Sequence, residues 1–316
     1  METTPASIRF VPSLIAKEPA AARHFVEFFS ATIRNPNTRL AYYQSAIRFL
    51  TWAEGFGVRT LSSVEPVHVA AWVELNLQSH AIATVKQRLA GLKMLFDWLV
   101  VRRVINVNPA QSVRSPRQTI GKGKAPVLDP SEARRLIAAI DVSTDIGLRD
   151  RALIGTMLYT FGRIGAVLMM RVRDVYPQNR RLWVRLHEKG GKLHDMPCHH
   201  ELEEWLSEYI ERCSLLPDPH GWLFPSWDRE SGSLGSNRLA HPNAFVMVKR
   251  RARAAGIETQ INNHSFRATG ITAYLLNGGT LEKAAKMANH ASTRTTQLYD
   301  RRDDQIVLGE IEKVRF

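Results

Sequence analysis

The sequence has few cysteines and no apolar run long enough to span a membrane. Cys198 and Cys213 are the only two cysteines in 316 residues, so a disulfide framework is excluded and a reducing cytoplasm suits the chain. The best candidate for a membrane span, LKMLFDWLVV, is interrupted by Lys93 and Asp97. The N-terminus, METTPASIRF, lacks a basic stretch followed by an apolar core, so we expect no secretion signal and a cytoplasmic protein.

The sequence is also short of acidic residues. It holds 43 Lys and Arg against 30 Asp and Glu, a formal net charge of +13. Each phosphate that Lys or Arg neutralises releases a condensed counterion, so this excess favours a polyanionic partner. The charge alone is equally compatible with a merely basic soluble protein. The distribution of the basic residues is more informative than their total.

The basic residues concentrate between two halves of the chain. Residues 101–124 hold six basic residues and no acidic one, together with two prolines and two glycines. This composition predicts an extended linker rather than a core element. We therefore expect an N-terminal extension, a helical first domain, a basic linker, a second domain and a C-terminal tail, at residues 1–23, 24–108, 109–124, 125–300 and 301–316.

The first domain reads as helices with basic faces. Leu40, Tyr43, Ile47 and Leu50 recur at helical spacing, and a second such series begins at Val85. The polar faces of these helices either contact DNA phosphates or are simply solvated. The predicted DNA-binding residues are Thr38, Arg39, Arg48, Thr84, Lys86, Arg88 and Lys93 on the helices, and Arg114, Arg117, Lys122 and Lys124 in the linker.

The second domain mixes helices with a small sheet. PVLDPSEARRLIAAI predicts a helix with Asp129 or Ser131 as its cap. Residues 182–186 alternate in hydrophobicity, and the turn at residues 189–192 predicts a β-hairpin or part of a small sheet. HELEEWLSEYIERC predicts an amphipathic helix. The expected fold class is mainly α with a small β-sheet, a helical first domain preceding a mixed α+β domain.

Six side chains of the second domain suit phosphate chemistry. Taken singly, each has an ordinary structural explanation, such as an arginine at a helix end or a solvated lysine in a glycine turn. Two of them are three residues apart and share one face of a helix. The candidate catalytic residues are Arg163, Lys189, His264, Arg267, His290 and Tyr299.

Together these residues fit the transfer of a DNA phosphodiester to a tyrosine. Two arginines can clamp the non-bridging oxygens of a phosphorane, and Lys189 can supply a proton to the leaving 5′-oxygen. The phenol of Tyr299 must lose its proton as it attacks, so an adjacent imidazole is useful. This chemistry needs no metal or cofactor, and the carboxylate cluster of a two-metal nuclease is missing from the sequence. His194, Cys198, His199 and His200 match no standard zinc spacing.

The ordered set Arg, Lys, His-x-x-Arg, His and Tyr resembles the tyrosine recombinase (phage integrase) family, in its two-domain Xer/Cre-like form. HSFRATGITAYLLNGG and NHASTRTTQLYDRR carry the resemblance, which extends over nearly the whole chain. It implies a SAM-like core-binding domain and a catalytic domain that form a clamp around DNA. It also implies that Tyr299 forms a 3′-phosphotyrosine, that both arginines stabilise the phosphorane, that Lys189 is the general acid, and that both histidines assist proton transfer and phosphate binding.

The resemblance further implies the partners. The family works as a tetramer, so we expect a homo-tetramer on double-stranded DNA with short inverted repeats around a spacer. We expect such a protein to be associated with the nucleoid and to need neither a membrane nor ATP. Accessory proteins are possible further partners. Val307, Ile311 and Val314 form an apolar stripe in the tail, which either docks on a neighbouring subunit or packs on its own domain.

Three positions depart from the family pattern. Ala166 stands where the family usually has an acid, Ala268 where it often has histidine, and Asn289 where it often has glycine. Lys192 is a second lysine in the turn that holds Lys189. A type IB topoisomerase with the same chemistry and a non-catalytic DNA-binding regulator of the same fold are the rival interpretations.

Overall fold

The chain forms two compact units, Met1–Thr119 and Ile120–Phe316. The structure is a computed structural model that describes residues 10–117, 123, 125–188 and 190–302. Lys122, Lys124 and Lys189 lie outside the described residues, as do residues 1–9 of the N-terminal extension and residues 303–316 of the tail. What the sequence predicts for these residues stays a prediction. The predicted domain boundaries also stay predictions.

The first unit is helical. Phe25, Phe28, Phe29, Phe49 and Phe96 are all fully buried in its core. Helix α3 begins at residues that suit a helix start, since the side chain of Asn35 caps it and Pro36 follows. The helices are α1 (Ser13–Ala16), α2 (Pro19–Glu27), α3 (Pro36–Gly55), α4 (Pro66–Ser79) and α5 (Ile82–Val101), with a π-helical turn at Phe28–Thr32 and a 3₁₀ turn at Leu61–Ser63.

The predicted phosphate contacts of this unit differ in exposure. Arg48, Lys86, Arg114 and Arg117 are exposed, whereas Thr38, Arg39, Thr84 and Lys93 are half-buried. Arg88 is buried, with 8% of its surface exposed, and its guanidinium donates to Asn76 Oδ1. Burial lowers the pKa of Arg88, and Arg48 adds to that effect. The placement of Arg88 on the polar face of its helix is therefore wrong, because the side chain is buried against α4. Its role in DNA binding stays a prediction.

The second unit combines helices with two small antiparallel sheets. None of the helices in the described part of the chain combines the length and apolarity that a bilayer crossing needs. The helices are α6 (Pro130–Ala138), α7 (Asp145–Tyr159), α8 (Ile164–Val167), α9 (His200–Arg212), α10 (His241–Ala254), α11 (Asn263–Leu276), α12 (Leu281–Met287) and α13 (Thr293–Gln297). The strands are β1 (Val175–Gln178), β2 (Arg181–His187), β3 (Leu193–Pro197), β4 (Pro225–Asp228) and β5 (Ser233–Arg238).

The predicted hairpin is confirmed as the pair β2–β3, which is the larger part of a three-stranded sheet in the order β1-β2-β3. Val184 pairs with Met196, and both side chains are buried. The turn requires glycine, since Gly190 and Gly191 have φ angles of 81° and 76°. The amide of Glu188 donates to the carbonyl of Lys192 at 2.7 Å and so closes the turn. The mainly helical fold class is confirmed.

Close packing of α11 on α7 positions the candidate site. A Cβ atom added to Gly270 would lie 2.1 Å from the carbonyl oxygen of Leu158, so only glycine allows this approach. The approach brings the N-terminal turns of α11 beside the segment that follows α7. In that segment Phe161 adopts a φ of 54°, which turns the chain sharply before Arg163.

Candidate active site

The first turns of α11 carry two of the candidate residues. The side chain of Asn262 caps this helix and accepts a hydrogen bond from the amide of His264 at 2.8 Å. Ser265 returns the bond, because its hydroxyl accepts from the Asn262 amide at 3.0 Å. His264 and Arg267 therefore project from a well-anchored helix start, one turn apart.

Tyr299 lies against His264. The phenol oxygen of Tyr299 is 2.8 Å from Nε2 of His264, and 8% of the tyrosine surface is exposed. The backbone of Tyr299 is held on both sides: its amide donates to the carbonyl of Thr296, and its carbonyl accepts from the hydroxyl of Thr272, both at 2.9 Å. The phenol is therefore placed beside an imidazole by two independent backbone anchors.

His290 lies against the ring of Tyr299. Its ring stacks on that of Tyr299, and its Nδ1 forms a 2.9 Å hydrogen bond with the hydroxyl of the buried Thr296. Burial, followed by the charges of Arg267 and Arg163, lowers the pKa of His290 to about 4. Burial and the same two arginines also lower the pKa of His264. Both imidazoles are consequently neutral at pH 7.

Arg267 is the most deeply buried cation of the site, with 1% of its surface exposed. Its terminal nitrogens donate to the carbonyl oxygens of Phe161 and Ala288. Its Nε is buried and has no acceptor among the described residues. Burial and the charge of Arg163 lower the pKa of Arg267 to about 10, so the guanidinium remains charged at pH 7.

Arg163 differs from Arg267 in being open to solvent. Its side chain is 44% exposed, and its Nη1 lies 2.9 Å from the carboxylate of Glu188, whose side chain is 5% exposed. The charge of Arg163 affects the pKa of His264, Arg267 and His290, which places all four groups in one electrostatic environment. Five of the six candidate catalytic residues therefore converge, and the sixth, Lys189, lies outside the described residues.

Two further residues belong to this site although the sequence did not point to them. Glu188 pairs with Arg163, and Thr296 orients His290. The position of Glu188 directly before Lys189 was a signal, but nothing in the local sequence identifies its partner 25 residues earlier.

The histidines around Cys198 do not form a metal centre. In residues 10–117, 123, 125–188 and 190–302, no three His, Cys, Asp or Glu side chains converge as metal ligands would. His194 instead lies 2.9 Å from the carbonyl oxygen of Met287, and His199 stacks on Tyr159 with ring centroids 4.4 Å apart. Cys198 is buried, and this burial raises the pKa of its thiol to about 12.

The sequence matches two family models in the same order as the two units. The model described as the phage integrase family matches residues 126–305, and that of the phage integrase N-terminal SAM-like domain matches residues 23–103. The chain belongs to the phage integrase family. The resemblance inferred from the six catalytic candidates is thereby confirmed.

Curated relatives of this phage integrase family member are tyrosine recombinases. It is 26% identical over 275 residues to the tyrosine recombinase XerC of Serratia marcescens, with 86% of each chain covered. It is 25% identical to the tyrosine recombinase XerD of Ralstonia nicotianae, with 83% of each chain covered. A tyrosine recombinase of Synechococcus elongatus is 28% identical over 84% of this chain and 85% of its own.

Solved structures share the fold of this family member at low identity. XerH site-specific recombinase, bound to a palindromic difH substrate, has a TM-score of 0.70 at 17% identity and covers 97% of this chain and 90% of its own. A lambda integrase dimer bound to a COC′ core site has a TM-score of 0.68 at 16% identity, with 91% and 96% covered. These likenesses agree with the helical first unit and the mixed second unit.

Proposed function

We propose that this protein is a site-specific DNA recombinase that cleaves and rejoins DNA through a covalent 3′-phosphotyrosine intermediate at Tyr299. The observation that carries the proposal is the 2.8 Å contact between Tyr299 Oη and His264 Nε2, next to two guanidinium groups. A phenol at a neutral imidazole can transfer its proton as it attacks. Arginines at the same place can stabilise the charge that develops on phosphorus oxygens.

The cleavage step gives a role to five of the six candidate groups. The Tyr299 oxygen bonds to the phosphorus, while the bond from phosphorus to the 5′-oxygen breaks. The phenol proton goes to Nε2 of His264 in the tautomer that leaves this nitrogen free, and the leaving 5′-oxygen takes a proton from Lys189. Arg163 and Arg267 stabilise the charge on the non-bridging oxygens. Rejoining reverses these transfers with a 5′-hydroxyl as nucleophile, so no ATP is consumed.

Solved structures of similar fold support a proposal for the partners. We propose double-stranded DNA with short inverted repeats around a spacer, in keeping with the palindromic substrate of XerH. We propose a homo-tetramer on that DNA, in keeping with a lambda integrase tetramer bound to a Holliday junction. Accessory proteins and a nucleoid-associated, cytoplasmic location belong to the same proposal.

Covalent trapping tests this function. The full-length protein is incubated with a random-sequence duplex library, denatured with SDS, and the DNA that stays attached is sequenced to obtain the cleavage site. A nicked duplex of that sequence should accumulate a covalent adduct with wild type and none with Tyr299→Phe, while Tyr299→Phe still binds the duplex. An adduct of undiminished yield in Tyr299→Phe would refute the nucleophile.

A paired-site plasmid separates recombination from relaxation. The recombinase exchanges the segments between two copies of the recovered site, whereas a type IB topoisomerase only removes supercoils. We expect wild type to yield recombinant circles. Relaxation without recombinants would favour the topoisomerase interpretation.

A further inference from the structure

Residue 166, three positions after Arg163, is an alanine and cannot form an ion pair with this arginine. The Arg163 carbonyl accepts hydrogen bonds from the amides of Ala166 and Val167 at 2.8 and 3.0 Å, so Ala166 lies in the first turn of α8. Ala166 is 4% exposed and packs with Ile164 and Val167 in the apolar core of the second unit. A carboxylate at residue 166 would be buried among hydrocarbon, which is unfavourable without a partner. An acidic partner for Arg163 must come from elsewhere.

Glu188 supplies that acidic partner from the other side of the site. Its carboxylate lies 2.9 Å from Nη1 of Arg163, and its side chain is 5% exposed. The backbone of Glu188 is fixed by the hairpin, whose turn it closes through the 2.7 Å bond to Lys192. The preceding residue, His187, is anchored at 2.7 Å to the carboxylate of Asp174. The backbone that carries the Glu188 carboxylate is thus anchored next to the end of strand β2.

The charge of Glu188 matters because the site is crowded with cations. Arg163 lowers the pKa of Arg267, whereas the Glu188 carboxylate raises it and so opposes the repulsion between the two guanidinium groups. The carboxylate of Glu188 pairs with Nη1 of Arg163. The Arg163 side chain is 44% exposed, so its guanidinium can also contact a phosphate. A guanidinium offers five N–H donors, so one ion pair does not exhaust it.

We propose that Glu188 is a positioning residue for strand cleavage, which orients Arg163 toward the scissile phosphate. Its carboxylate also offsets the cationic charge of the site, which the alanine at residue 166 cannot do. This inference rests on the recombinase function proposed above. Glu188 acts through Arg163 and does not itself touch DNA. Because Lys189 follows it directly in the chain, the same residue ties the hairpin turn to the arginine.

The test separates cleavage from binding in single-turnover reactions. The probe is a nicked duplex of the sequence recovered by covalent trapping, and the full-length protein is varied to obtain the cleavage rate at saturation and the concentration for half-saturation. We expect Glu188→Gln to lower the saturated rate about 10- to 100-fold, because misplacing a catalytic group by about 1 Å has effects of this size. The concentration for half-saturation should change by less than about 3-fold. Glu188→Asp, which keeps the charge on a shorter stem, should recover part of the lost rate.

A matched control is available in the same hairpin. Asp195 on β3 forms a two-point ion pair with Arg185 on β2, at 2.8 and 3.0 Å, and both side chains are 39% exposed. Asp195→Asn removes a carboxylate from an arginine without touching the site, so its cleavage rate should stay within about 2-fold of wild type. If Asp195→Asn lowers the rate as much as Glu188→Gln, the effect comes from weakening the hairpin, and the proposal is overturned.

The outcomes distinguish this inference from the proposed function. Wild-type cleavage at the recovered site supports the function whatever Glu188 does. An unchanged or faster rate in Glu188→Gln overturns the positioning role, and a faster rate would mean that Glu188 restrains Arg163. If Glu188→Gln loses its cooperative melting transition, Glu188→Asp decides. A folded Asp variant with no loss of rate contradicts a role that depends on the position of the carboxylate, whereas a lower rate at an unchanged half-saturating concentration supports it.

Discussion

The imidazole ring of His290 lies nearly parallel to the phenol ring of Tyr299, with 10° between the planes and 5.9 Å between the centroids. The stacked histidine is neutral at pH 7, because burial and the neighbouring cations hold its pKa at about 4. It therefore adds no further positive charge beside Arg163 and Arg267 in the free protein. A neutral imidazole can still donate one hydrogen bond to a phosphate oxygen.

This low pKa predicts a pH-dependent stability. In the unfolded chain a histidine binds a proton below about pH 6.5, whereas folded His290 does so only near pH 4. Between these values the unfolded state binds more protons, so the free energy of unfolding falls as the pH is lowered. We expect the urea midpoint, followed by circular dichroism, to drop more between pH 7 and pH 5 in wild type than in His290→Asn. An equal drop in both proteins would contradict the buried neutral imidazole.

His264 predicts a pH-dependent cleavage rate. Because burial and the arginines lower its pKa, His264 stays a neutral base down to pH values below those of an ordinary histidine. At sub-saturating protein, the wild-type cleavage rate should stay level to a lower pH than an ordinary histidine base would allow, and then fall as His264 becomes protonated.

His264→Gln is the matched variant, since glutamine can hydrogen-bond to the phenol but cannot take its proton at these pH values. We expect its rate to be about 10² to 10⁴-fold lower. The fall at acid pH should also disappear. An unaltered acid limb in this variant would assign the titration to another group.

Residue order along the chain predicted the members of this site but not their supporting contacts. The spacing of His264 and Arg267 is enough to place them on one helix face, and the order of the six residues pointed to the family. The pairs Arg163–Glu188 and His290–Thr296 depend on how the hairpin and α13 pack, which no local pattern encodes. Tertiary packing, rather than propensity, selects these partners.

Two details of the fold were not predicted, for the same reason. Arg88 was assigned to a polar face together with Thr84 and Lys86, yet its side chain is buried and donates to Oδ1 of Asn76 on α4. Strand β1 was not predicted, since it has four residues and contains Pro177. A proline is tolerated there because β1 is an edge strand of the described sheet, next to β2.

Lysine substitutions should distinguish the roles of Arg163 and Arg267 in cleavage and in stability. Arg267→Lys loses the bonds to the carbonyl oxygens of Phe161 and Ala288, and a buried carbonyl without a donor costs about 1–3 kcal/mol. We expect this variant to lose both cleavage rate, by about 10² to 10³-fold, and thermal stability. Arg163→Lys should lose rate with little change in melting temperature, because Arg163 is exposed. A stability loss of equal size in both variants would contradict this division.

The backbone at Asn289 connects stability with the geometry of the site. Asn289 has a φ of 48°, in the left-handed region that glycine and asparagine tolerate best. This explains why asparagine can stand where the family often has glycine. The residue before it, Ala288, provides a carbonyl to Arg267, and the residue after it is His290. A change of the backbone at residue 289 therefore moves two site contacts together.

Two substitutions at this position should behave oppositely. Asn289→Gly keeps the left-handed conformation accessible, so its cleavage rate should stay within about 3-fold of wild type. Asn289→Val should destabilise the fold by about 1–2 kcal/mol and lower the rate, because a β-branched residue resists positive φ. Asn277→Val is the control, since Asn277 ends α11 with an ordinary φ of −86°. Equal rate losses from the two valine variants would show that the positive φ at residue 289 is not the cause of the loss.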